Sequence, residues 1–222
     1  MPERGLIFDG ALVPGVMAGT VTVTSRVMNP QPQTFGDNDG RLLRIVPSLL
    51  GDHGLWDCQY DLDNPKVLRC PFRVGERRYV KEVWQAFEPG TSKPLSNDLV
   101  RQPTICSLGY RSGEVDRARE NDDIPYFGPW RSPMLMPRRF ARTWIEILAV
   151  RPARCQEITY SEILASGFRR QFLTDEAQTD ASHMADARAA YAALWDRLNK
   201  ARGYPWIANH WVWRVTFRTV TP

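Results

Sequence analysis

Polar and apolar residues alternate with a period of two along several short stretches of this chain. Between residues 20 and 27, Thr20, Thr22, Thr24 and Arg26 fall on one side and Val21, Val23 and Val27 on the other. That pattern predicts a strand that packs with one face and meets a ligand with the other. Residues 77–84 repeat it, with Tyr79, Lys81 and Val83 opposite Arg78, Val80, Glu82 and Trp84. In residues 211–220, Val212, Arg214 and Thr216 oppose Trp213, Val215 and Phe217. A further strand is expected at 142–150, and shorter ones at 41–50 and 55–60 around the turn signal GDHG.

The period becomes helical over 181–201, where Met184, Ala187, Tyr191, Leu194, Trp195 and Leu198 form one packing stripe. Asp180 is placed to cap this helix and Gly203 to end it. Shorter helices are expected at 11–18, with Pro14 in the first turn, and at 160–165, stopped by Gly167. The stretch MNPQPQTFGDNDGR reads as a loop, and residues 88–129, rich in Pro, Gly, Ser, Asn and charge, read as a surface insertion. Several short strands, one long late helix and no βαβ alternation predict a single α+β domain over 1–222, built as a small β-barrel with flanking helices.

Composition narrows the chemistry. The chain has 222 residues and a net charge of +4, yet 25 of its 29 basic residues are arginine. Arginine offers a planar fork that suits phosphate and stacks on bases. Cys58, Cys70, Cys106 and Cys155 form no C-x-x-C pair, and with His53, His183 and His210 they give no zinc spacing, so neither a metal nor a cofactor is expected. FGDNDGR and CPFRVGERR match neither a phosphate loop nor a dinucleotide fingerprint. No opening leader or long apolar run is present, which predicts a soluble cytoplasmic protein with reduced thiols.

GTVTVTSRV at 19–27, GLIFDGALVPGVMAG before it, CPFRVGERRYVKEVWQ from Cys70, WRSPMLMPRRFAR from Trp130 and the closing NKARGYPWIANHWVWRVTF together resemble the ASCH domains, phage and prophage members in particular. The resemblance runs in order along nearly the whole chain. It implies a PUA-like barrel and association with RNA. In small bacterial members that hydrolyse the acyl amide of 4-acetylcytidine, the entry signature looks like G-x-K-T-x-T-x-R, with a glutamate on the short helix after the mid-chain strand. Placed on this sequence, Thr24 and Arg26 are retained, the lysine becomes Val21 and the glutamate becomes Ser166 in EILASGF. Valine neither takes nor gives a proton, and an unassisted threonine hydroxyl is a poor nucleophile, so that hydrolysis is expected to be lost. A rebuilt site would need Thr24 with a relocated base, Glu162 one helical turn before Ser166 or Lys81 from another strand.

Two further sets point to nucleic acid. Arg26, Arg138, Arg139 and Arg142 are placed to hold phosphates as bidentate donors; the alternative for each is a solvated edge paired with Glu82, Glu146 or the acidic insertion. Of the eight tryptophans, Trp144, Trp195 and Trp213 are assigned to packing, and Trp84 and Trp130 to base stacking. The expectation is a protein that binds RNA, DNA or a modified nucleoside; the alternatives are a hydrolase using Thr24, Glu162 or Lys81, and an interaction protein contacting a host factor through 88–129.

Overall fold

The computed structural model describes residues 4–32, 44–47, 55–59, 66–88, 93–94, 96, 107–111, 130–168 and 180–221. In chain order its elements are β1 (Arg4–Ile7), α1 (Val13–Met17), β2 (Val23–Val27), β3 (Arg44–Pro47), β4 (Leu55–Gln59), β5 (Lys66–Arg69) and β6 (Arg77–Lys81). Then come β7 (Trp84–Phe87), β8 (Ser107–Tyr110), β9 (Trp144–Arg154), α2 (Tyr160–Ala165), α3 (Asp180–Asn199) and β10 (Trp211–Val220). The largest sheet has the order β1-β6-β9-β10-β2 and is mixed, with β1 parallel to β6 and β10 antiparallel to β2. The α+β class therefore stands, but the barrel does not. Closure requires the two edge strands to pair with each other, and here β1 and β2 end the sheet, β1 paired with β6 and β2 with β10.

The chain forms two compact units and enters each more than once: Met1–Thr20 with Arg77–Ile145 and Thr219–Pro222, and Val21–Glu76 with Glu146–Arg218. In the first unit the expected strand 77–84 breaks after Lys81. Glu82 leaves the ladder because its carboxylate is bound by Arg142 and its backbone N–H donates to Met136 Sδ at 3.3 Å. β7 then starts a new pairing with β8, Trp84 opposite Tyr110 and Phe87 opposite Ser107. All four residues of β7 are buried, Gln85 included, so no alternation betrays the strand. β8 lies within the expected insertion; most of 88–129, and any partner surface on it, falls outside the described residues. Trp84, Ala86, Met136 and Phe140 form the local core.

In the second unit, β3, β4 and β5 make an antiparallel meander. The helix at 160–165 forms as expected, with a capping box in which Thr159 Oγ1 accepts from Glu162 N and Glu162 Oε2 accepts from Thr159 N. Helix α3 buries Ala187, Tyr191 and Trp195, one turn apart, while Leu198 remains 39% exposed. Its end tightens into a 3-10 turn, Lys200–Arg202, before Gly203 at φ 88°. The stripe packs on Ile158, Ile163 and Val212, so α2, α3 and β10 share one core.

Candidate functional site

In the first unit the segment 130–142 is shaped by two 3-10 turns, Pro133–Leu135 and Arg138–Phe140. Proline at the first position of one turn and just before the other fixes their entries, and the Ser132 hydroxyl accepts from Met134 N. Met134 and Leu135 project into solvent at 72% and 71% exposure, and Arg138 and Arg139 are exposed beside them. The guanidinium of Arg138 lies 5.1 Å from the Trp144 ring and that of Arg139 4.6 Å from Phe140. Such stacking locates a cation at a surface without removing it from water.

The other expected interface residues of this unit divide. Arg142 is bidentate to Glu82, both contacts 2.8 Å, and its guanidinium sits 4.3 Å from the Tyr110 ring. It takes the alternative role of an ion-pair partner. Trp84 is 1% exposed, packed on Phe140 at 5.2 Å with Arg131 over it at 5.3 Å and its indole N–H on Ser132 O. It has no open face for a base, and is a core residue where the sequence suggested a stacking one; its charged neighbours in sequence concealed the burial. Trp130 is half-buried. Lys81 reaches across Gly5, whose missing side chain leaves room for the stem, to donate to Met134 O at 3.0 Å. Trp144, Trp195 and Trp213 are buried, as expected.

Thr24, Arg26 and Glu162 belong to the second unit. In β2, Ser25 pairs with Arg214, Thr24 with Val215 and Arg26 with Trp213. Paired residues share a face and neighbours alternate, so Thr24 and Arg26 lie on the face opposite Ser25 and Arg214. Glu162 is engaged elsewhere: Oε1 accepts from Arg151 Nη2 at 2.7 Å and Oε2 caps α2. Burial favours its neutral form, but the Thr159 N–H, the Arg151 bond and the Arg214 charge prevail and hold its pKa below the ordinary value. A carboxylate so stabilised is a weak proton acceptor. The two positions at which the sequence departs from the pattern it resembles serve packing and structure. Val21 is buried, and the Ser166 hydroxyl donates back to Glu162 O at 2.7 Å.

The constellation that sequence reading did not single out centres on Arg214. It is 2% exposed and in mid-strand. Nη1 donates to Ser25 Oγ at 3.0 Å and Nη2 to Arg154 O at 3.3 Å, while Ser25 Oγ also shares a 2.9 Å bond with Tyr191 OH. Nε is buried with no acceptor among the described residues. Burial lowers the Arg214 pKa, against the pull of Tyr191 and Glu162, and raises that of Tyr191, against its Ser25 bond and Arg214. Nearby Cys155 is fully buried and its thiol is pushed up to about 11 by that burial, opposed by the His210 backbone bond and Arg214, which makes it a poor nucleophile. Only the alternation of 211–220 hinted at this site, by setting Arg214 on a face with Val212.

Among the described residues, no group of histidine, cysteine and carboxylate side chains is arranged to hold a metal, and no helix is long and apolar enough to cross a membrane. The chain is thus a mixed α+β protein carrying an exposed arginine turn in one unit and a buried arginine in the other. No protein-family model, curated protein or solved structure matches it.

Proposed function

We propose that this chain binds nucleic acid, RNA or a modified nucleobase, as a relative of the ASCH domains that has given up the amidohydrolase chemistry. The observation that carries the reading is the turn at Arg138 and Arg139: two consecutive exposed arginines held over aromatic rings, beside the exposed side chains of Met134 and Leu135. Located cations contact phosphates, and adjacent apolar surface receives base faces. A buried valine at position 21 and a Glu162 tied to Arg151 and Thr159 support the reading without amidohydrolase chemistry.

Binding to a mixed single-stranded RNA pool, followed against salt, tests this. The wild-type affinity is expected to fall steeply with salt, and the double variant Arg138→Ala/Arg139→Ala to lose about 1.4 from the slope of log K against log salt, about 0.7 for each phosphate contact removed. A slope unchanged in the variant, or no salt-dependent retention of RNA or DNA by the wild type, overturns the reading.

A further inference from the structure

We propose that Arg214 is the receptor of an oxyanion site in the second unit, taking two oxygens of a phosphate or carboxylate group on its Nε and an adjacent Nη. A guanidinium carries five N–H donors and no acceptor. Its two acceptors among the described residues, Ser25 Oγ and Arg154 O, are both neutral, and among those residues they leave Nε without a partner in a fully buried position. The carboxylate that pulls on it, Glu162, spends Oε1 on Arg151 and Oε2 on Thr159 N. The charge is therefore desolvated and carries an unfilled donor. Strand packing alone does not require a cation at this position, since Val212, two residues earlier on the same face, is a fully buried apolar residue.

The edge of a guanidinium formed by Nε and one Nη presents two parallel donors, the geometry that matches two oxygens of one anion. Tyr191 OH, linked to Arg214 through Ser25, adds a hydroxyl to the same polar set. The Arg151–Glu162 pair, whose side chains are 48% and 19% exposed, acts electrostatically on Arg214 from both sides of the balance. The positive charge of Arg151 favours a bound anion and the negative charge of Glu162 opposes it. This site is independent of the arginine turn in the first unit.

Thermal unfolding of the full chain at constant ionic strength tests it, with chloride replaced in separate arms by inorganic phosphate, acetate and a mixture of nucleoside 5′-monophosphates. Phosphate or acetate alone raising Tm identifies the bare oxyanion as sufficient. A rise only with the nucleotides assigns the site to a phosphate ester. In Glu162→Gln the same rise is expected at about tenfold lower anion, because a competing negative charge is removed. Arg214→Lys keeps the charge and loses the fork, and is expected to need at least about tenfold more anion. The Arg138→Ala/Arg139→Ala chain should respond like the wild type, which separates this proposal from that of nucleic-acid binding. The 15N resonance of Arg214 Nε gives a readout that does not depend on variant folding and is expected to move as the effective anion is added. No anion raising Tm above chloride, equal responses in wild type and Arg214→Lys, or an Nε resonance that stays fixed each overturns the proposal.

Discussion

Glu82 and Arg142 form one ion pair from two unequal environments: the glutamate side chain is 1% exposed and the arginine side chain 30%. Removing the arginine leaves a buried charge without its bidentate donor, whereas neutralising the carboxylate leaves a cation that water reaches. Arg142→Met is accordingly expected to cost about 3 kcal/mol or more, and Glu82→Gln about 1 kcal/mol, as read from urea midpoints. Equal costs would place the pair in a common environment. His210 gives a pH dependence. Burial, and then the charge of Arg154, hold its pKa below the ordinary 6.5, and its Nε2 is buried with no hydrogen-bond partner among the described residues. The unfolded chain then takes up the proton more readily than the folded one, so stability contributed by neutral His210 is present above about 6.5 and lost as pH falls below it. Tm measured between about pH 7.5 and 5 should decline, with a smaller decline in His210→Gln.

At the scale of elements, α2 is six residues long and too short to hold itself. Its capping box and its packing through Ile163 support it, and the box also aims Glu162 at Arg151. Thr159→Ala removes the side-chain acceptor but keeps the backbone donor, so about 1 kcal/mol is the expected loss of stability in denaturant unfolding. Helix α3 and strand β10 were legible because their periodicity matched the face they bury: Tyr191 and Trp195 one turn apart, Val212 and Arg214 on one side of the strand. β7 and β8 were not. Residues 84–87 are buried on both faces, and β8 is Ser-Leu-Gly-Tyr, whose place in a ladder depends on finding Trp84 as the partner of Tyr110.

At the scale of the whole molecule, two arginine-centred features sit in separate compact units, one exposed and one buried. The salt dependence of nucleic-acid binding belongs to the exposed one and the anion response to the buried one. Local pattern alone determined the strand at 211–220, the helices at 160–165 and over most of 181–201, and the α+β class, because alternation and helical spacing record which face of an element is apolar. The exposed turn at 138–140 was legible as an arginine cluster for the same reason of proximity in sequence. Only tertiary structure decided that the sheet stays open, that Trp84 is core, that Arg142 belongs to Glu82, and that Thr24 faces away from Arg214 while Glu162 is tied to Arg151. These depend on pairings between residues far apart in sequence: 60 positions from Glu82 to Arg142 and 189 from Ser25 to Arg214. A strand's period says that Ser25 and Thr24 face opposite ways, but which of them meets the buried arginine is set by register with a strand at the other end of the chain.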